Sequence, residues 1–292
     1  MPVITIFSGE YCNEDAVTSE VEAQTSYRWV DENEIVSRAA ELSGMSESKI
    51  RGAFSAKTSL FNRFTHEKER AVAHLRMALA EILQDDDLLI PGFTGLLIPR
   101  SINHVLPVCL IADIRSRVST MQEEKAVSEK EALNRIRKSD EDRAAWVKML
   151  HHKDDPWDST LYDILVPTDK TPPGEAAGLI VENVESDILK PSARSQTAVA
   201  DFHLAACAEA ALAREGHDVD VSAKEGVVTL TINKYVLMLN RLEEELKDIV
   251  EKIPGVRAVK TEVGKEFHQT DIYRRFDFEA PSKVLLVDDE RE

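Results

Sequence analysis

Short apolar runs separated by longer stretches of helical periodicity organise the first two thirds of this chain. Val3-Ile4-Thr5-Ile6-Phe7, Leu88-Leu89-Ile90, residues 105–112 and Tyr162-Asp163-Ile164-Leu165-Val166 are the apolar runs. Their β-branched and leucine-rich composition over a few residues predicts buried strands. Between them, residues 15–25 read as a helix and Tyr27-Arg28-Trp29-Val30-Asp31 as a short strand end. A long helical region runs with breaks over 34–83, a highly charged helical arm over 128–150, and a closing helix over 172–184. Strands alternating with helices predict a parallel α/β sheet.

The pattern changes at residues 189–195, a small-residue stretch containing Pro191 that reads as a linker. Beyond it come an alanine-rich helix over 201–215 and two strands, 219–222 and 227–232, with Glu225-Gly226 at the turn. A helix over 235–252 and a strand over 256–263 follow, so the order is αββαβ. The expected organisation is a first domain over 1–188, a linker over 189–195, a smaller domain over 196–264 and a second linker over 265–282. Residues 283–292 open a further unit. The fold class expected is therefore α/β: a parallel-sheet domain followed by a smaller αββαβ domain.

Composition narrows the function. The 292 residues carry 53 acidic against 36 basic side chains, a formal net charge of −17. Phosphate neutralisation needs a Lys/Arg excess, so a nucleic-acid surface is excluded as an expectation, and an anionic membrane surface is disfavoured. Cys12, Cys109 and Cys207 are far apart with no C-x-x-C pair, which fits neither a disulfide framework nor zinc. No basic n-region or long apolar span is present at the start. A cytoplasmic protein without a transmembrane segment is expected.

A strand, loop and helix at the N-terminus is where a phosphate-binding loop keeps G-x-x-x-x-G-K-[ST]. Here the stretch is Gly9-Glu10-Tyr11-Cys12-Asn13-Glu14-Asp15-Ala16, in which Gly9 alone survives. Glu14 stands at the second glycine, Asp15 at the lysine and Ala16 at the Mg²⁺-binding hydroxyl. Carboxylates facing a triphosphate at a few ångströms are repulsive by kilocalories even at an effective dielectric of about 20, so ATP is not expected there. His151-His152 and the His203/Cys207 pair invite a metal reading. Adjacent histidines point to different sides of a helix, and Cys207 lies in an alanine-rich stripe, so core packing is the expectation for both.

Further motifs give the N-terminal region a family likeness. Tyr27-x-Trp29-Val30-Asp31, Ile90-Pro91-Gly92-Phe93, Ile114-Arg115-Ser116-Arg117, Asp140-x-x-Arg143-x-x-Trp146 and the 162–168 strand with its Thr turn occur in an order that resembles the cytidylate-kinase-like branch of the P-loop nucleoside monophosphate kinases. The resemblance covers residues 3–183. It implies a nucleotide site at Gly9, Asp31, Arg117, Asp140 and Arg143, with a pyrimidine nucleotide as ligand; Asp31, Asp140 and Arg143 equally suit structural ion pairs. The departures fall on chemistry, with Asp15 for the loop lysine, Phe93 for a phosphate-contacting arginine and Thr120 for a second lid arginine. Phosphoryl transfer depends on positioned cations, so no catalytic residue is assigned and a pseudo-kinase is expected. The alternative is an active nucleoside monophosphate kinase using ATP.

Residues 196–264 resemble a BON domain through Gly226-Val227-Val228-Thr229-Leu230 and Ile253-Pro254-Gly255-Val256-Arg257-Ala258-Val259. That resemblance implies binding of phospholipid or a protein; an acidic chain without an export signal favours a protein partner. Lys283-Val284-Leu285-Leu286-Val287-Asp288-Asp289 resembles the first strand of a two-component receiver domain. It implies Mg²⁺ at Asp288 and Asp289 in a complete receiver, and a downstream receiver as the partner of the kinase-like region. The function expected is thus the regulatory or sensor region of a response-regulator-type signalling protein.

Overall fold

The computed structural model describes residues 2–57, 66–265 and 267. Its first unit is a five-stranded sheet in the order β2-β3-β1-β4-β5, from β1 (Val3–Ser8), β2 (Arg28–Trp29), β3 (Leu88–Pro91), β4 (Val105–Ile111) and β5 (Ile164–Pro167). Every neighbouring pair is parallel, with Val3 opposite Leu88 on one side and Val105 on the other. All six residues of β1 are buried, as expected of a central strand covered by helices on both faces.

Alternation along β1 divides the interior. Ile4 and Ile6 join Val17, Val21, Leu106, Val108 and Ile180 on one face, against α1 (Glu14–Thr25) and α7 (Pro173–Val184). Val3 and Phe7 face the larger core, built with α2 (Glu32–Ser43), α3 (Glu47–Arg51), α4 (Glu67–Ile82) and Trp146 of α6 (Glu129–His151). Among the described residues, the long helical region expected over 34–83 holds three separate helices, with breaks at Gly44 at φ 69° and at a turn at Gly52; residues 58–65 lie outside the described residues. A small cluster of Val118, Met121, Ala132 and Ile136 joins α5 (Ile114–Lys125) to α6.

The second unit contains α8 (Ala193–Arg214), β6 (Asp220–Lys224), β7 (Val227–Ile232), α9 (Leu239–Val250) and β8 (Ala258–Val263), with sheet order β6-β7-β8. β6 and β7 pair antiparallel, β7 and β8 parallel. Gly226, at φ 81° after Glu225 at φ 51°, makes the tight turn that a two-residue hairpin needs.

Two helix starts differ from the sequence expectation by four residues or more. α8 begins at Ala193 rather than 201, because Ser192 and Ser195 form a reciprocal capping box that starts the helix directly after Pro191. Residues 193–195, read as linker, are its first turn, and Leu189 is buried against the α1 side of the sheet. α9 starts at Leu239 rather than 235; Tyr235, Leu237 and Met238 are exposed ahead of it.

α8 has two apolar faces. Val199, Phe202 and Ala206 enter the large core of the first unit, whereas Leu204, Ala208 and Leu212 enter the core of the second with Val228, Leu230, Leu246 and Val250. One helix thus serves two cores, which ties the units together through shared burial rather than a tether.

Candidate functional site

In an open parallel sheet, ligands bind in the crevice outside the carboxyl ends of the strands, where strand order reverses. That crevice lies between β1, which continues to α1, and β4. Its floor is the 9–13 loop, closed by the Cys12 amide donating to the Gly9 carbonyl at 3.2 Å and by Gly9 N–H donating to Leu110 at 3.2 Å. Tyr11 and Asn13 adopt left-handed backbone, φ 61° and 56°, and Asn13 Nδ2 donates to the Thr168 carbonyl at 3.4 Å.

Two arginines, one on α5 and one on α6, reach this loop. Arg117 of α5 donates from Nε to the Glu10 carbonyl at 2.8 Å and makes a two-pronged pair with Asp140 of α6 at 2.9 and 2.8 Å. Its side chain is 5% exposed and that of Asp140 25%. Arg143, one turn along α6 from Asp140, donates to the Ser8 carbonyl, to Ser139 Oγ at 2.5 Å and to the Ser139 carbonyl at 3.1 Å. Its guanidinium lies 5.1 Å from the centre of the Phe93 ring, within cation–π range. Gly9 is explained by this arrangement: a Cβ there would lie 2.9 Å from Cys12 Sγ and 3.0 Å from Arg117 Cζ.

Carboxylates complete the cluster. Ser8 Oγ donates to Glu14. Burial pushes the Glu14 carboxyl up to about 7; Arg143 opposes the rise, while Asp15 and Glu32 add to it. Burial also raises the Glu32 carboxyl, against hydrogen bonds from the Phe93 and Thr94 amides, the former at 2.6 Å. The Cys12 thiol is pushed up to about 11 by burial, despite Arg117 nearby, so it is protonated at neutral pH and no nucleophile.

Beside the loop lies a cleft of about 370 Å³ lined by Glu10, Arg51, Phe54, Ser55, Phe93, Ser139, Asp142 and Arg143. Phe54, Phe93 and Trp146 pack edge to face or tilted, with centroids 5.0 to 6.3 Å apart. Trp146 Nε1 donates to the Phe93 carbonyl at 2.9 Å. The lining sets two arginines, Arg51 and Arg143, beside two carboxylates, Glu10 and Asp142, next to these rings.

The residues singled out from sequence separate here. Gly9, Arg117, Asp140 and Arg143 converge on the loop. Asp31 does not: it is exposed and caps α2, accepting from the Asn33 amide at 3.0 Å and from Asn33 Nδ2 at 2.8 Å. Its neighbour Glu32 turns inward instead, a role the sequence did not disclose although its position at the first turn of α2 is compatible with it. Asp288 and Asp289 lie outside the described residues. His151 binds the Leu96 carbonyl at 3.1 Å and His152 ends α6 in left-handed backbone. His203 Nε2 is 3.8 Å from Cys207 Sγ, and Cys207 is only half-buried, between fully buried Ala206 and Ala208. Among the described residues, no group of three or more His, Cys, Asp or Glu side chains could hold a metal ion.

The model of the cytidylate kinase-like family matches residues 3–170. The chain belongs to the cytidylate kinase-like family. No curated protein matches it. Among solved structures, an uncharacterized protein from Eubacterium ventriosum ATCC 27560 is similar at 14% identity and TM-score 0.42, covering 64% of this chain and 99% of that one. Shikimate kinase from Acinetobacter baumannii, in complex with shikimate, aligns at 11% identity and TM-score 0.36 over 65% of this chain and 96% of its own. Shikimate kinase from Aquifex aeolicus aligns at 15% and 0.31, over 65% and 100%. Likeness at these levels says nothing of what this family member binds. No described helix is long and apolar enough to cross a membrane.

Proposed function

We propose that the kinase-like domain binds a ligand or partner without turning over ATP, and serves as the sensor or regulatory region of a response-regulator-type signalling protein. One observation carries the reading: the cations that phosphoryl transfer would need are engaged within the protein. Arg117 is on Asp140 and the Glu10 carbonyl, and Arg143 is on the Ser8 carbonyl. The loop offers these carbonyl oxygens and the Glu14 carboxyl where a triphosphate needs N–H donors and a lysine. The residues present therefore do not fit ATP with its Mg²⁺, and no transfer step is derived. The cleft beside Phe93 and Arg143 supports a pyrimidine nucleotide as ligand. The order helix, strand, strand, helix, strand over 193–263 supports a BON-like reading of the second unit with a protein partner. The likeness of residues 283–289 to a receiver's opening strand supports a place in a phosphorelay.

The other reading, an active nucleoside monophosphate kinase, draws on the gathering of Arg117, Asp140 and Arg143 at one loop. Calorimetric titration with CMP, CDP and ATP, each with and without Mg²⁺, separates the two. Binding of a pyrimidine nucleotide with no ATP uptake and no phosphoryl transfer is the expected result. Micromolar ATP binding with ADP formation overturns it. The double variant Glu14→Gly/Asp15→Lys sharpens the test, since restored ATP affinity without transfer in the native chain marks a decayed site.

A further inference from the structure

Away from the loop, β6 stands at the edge of the three-stranded sheet. In its antiparallel ladder the residues flanking the two-residue turn, Lys224 and Val227, form the hydrogen-bonded pair, and pairing alternates from there. Ser222 and Asp220 therefore direct their amides to β7. Val221 and Ala223 direct theirs outward, and among the described residues no hydrogen bond reaches those outward groups. An open edge of this kind is a template for another strand.

This edge does not face open solvent on a bare surface. It lines a cleft of about 1080 Å³ between the two units, together with residues 96–101 and one side of α8. The volume is at the upper end of the roughly 300–1,000 Å³ typical of ligand sites. Pro99, Leu150, Ala198 and Ala205, all half-buried, supply apolar surface, and Leu97, Ile98, Phe202 and Ala206 lie behind them in the large core. The ionisable side chains of the lining balance, four Arg or Lys against four Asp or Glu. Two of the arginines are already paired, Arg76 with Glu209 and Arg100 with Asp163, each at 2.5 Å. A cleft with unmet main-chain donors and acceptors, an apolar wall and no net charge selects neither a phosphate nor a basic ligand.

We propose that this cleft docks an extended, uncharged peptide, which adds as a strand to the outer edge of β6 and lays alternate apolar side chains onto Pro99, Ala198 and Ala205. Main-chain pairing provides affinity and the apolar wall selects side chains, the mode of strand addition. The proposal is independent of what the 9–13 loop binds.

The test is fluorescence anisotropy of the full chain with a capped, dye-labelled peptide of alternating valine and threonine, about seven residues long. Saturable binding that changes less than about twofold between roughly 50 and 500 mM salt is expected. A strand pairs through one edge only, so N-methylation at one alternate set of peptide residues should abolish binding and at the other set should spare it. Ala223→Pro removes an outward N–H at an edge position where proline is tolerated, and binding should weaken by about tenfold, or about 1.4 kcal/mol, with an unchanged unfolding midpoint. Absence of saturable binding, a steep salt dependence, equal effects of the two methylated sets, or full affinity in Ala223→Pro would each overturn the proposal. If Ala223→Pro does not fold, the methylated peptides decide alone.

Discussion

The loop after β1 and the cleft beside β6 are built on opposite terms. Around the loop, nearly every polar group has an internal partner: Arg117 has Asp140 and a carbonyl, Arg143 has two carbonyls and a serine, Glu14 has Ser8. At the cleft, the outward amides of Val221 and Ala223 have none among the described residues, and the lining around them mixes apolar residues with balanced charges. Charge density alone is thus a poor guide to binding capacity. A dense ionic cluster that is already satisfied offers less to a ligand than a neutral edge with unmet hydrogen bonds, because an incoming group must first displace what is there.

The largest expected effect tests the helix that both cores share. Phe202 of α8 is buried in the core of the first unit and also lines the cleft. Phe202→Ala should lower stability by about 4 kcal/mol in urea unfolding, the usual cost of emptying an aromatic core site. A change below about 1 kcal/mol would mean that α8 does not tie the units together.

Next comes the ion pair at the loop. Asp140→Ala leaves the buried Arg117 guanidinium with only the Glu10 carbonyl, and breaking such a pair should cost about 3 kcal/mol. Should stability hold while nucleotide affinity falls, Arg117 and Asp140 would belong to a ligand site and the contrast drawn above would fail.

Glu14 gives an effect of similar size with a definite sign. Its folded carboxyl titrates near 7, above the usual value of 4.5, chiefly through burial. The folded state therefore keeps a proton that the unfolded state has lost. The stabilisation is complete below about pH 4.5 and disappears as pH rises through about 7. Between those limits Glu14 should contribute about 3 kcal/mol of pH dependence, and Glu14→Gln, which stays neutral, should remove it from the difference curve. Identical pH profiles of stability for the two proteins would show that the carboxyl is solvated.

The smallest expected effect is a control at the surface. Arg28 pairs with Glu34 and with Asp85, but its side chain is 46% exposed. Arg28→Ala should change stability by less than about 0.5 kcal/mol. A much larger loss would mean that exposed ion pairs carry weight here, and the distinction between satisfied clusters and surface pairs would need revision.

Much of the fold was legible in residue order. The β-branched runs at Val3–Ser8, Leu88–Pro91 and Val105–Ile111 became the three central strands, because a strand covered on both faces must be apolar almost throughout. The smaller unit also followed its hydrophobic alternation, with Val228, Leu230 and Ile232 inward. The start of α8 was obscured because serine and proline mark linkers and helix caps alike; only the reciprocal bonds of Ser192 and Ser195 decide between them. At the site, the helical spacing of Asp140 and Arg143 already placed them one turn apart, whereas Asp31 and Glu32 could not be told apart, since adjacent residues on a helix start face different ways.

What the sequence determined by itself was therefore the alternation of strands and helices, the second αββαβ unit, the acidic balance and the absence of lysine, serine and threonine from residues 9–16. These are local in the chain, and period and residue type report them directly. Only the tertiary structure decided that Arg117 would close on Asp140 over the loop, that α8 would present one face to each of two cores, and that the open edge of β6 would border a neutral cleft. Each of these joins residues from 23 to more than 100 positions apart. Such meetings are set by how helices pack across a sheet, a matter of shape and burial that no local pattern encodes.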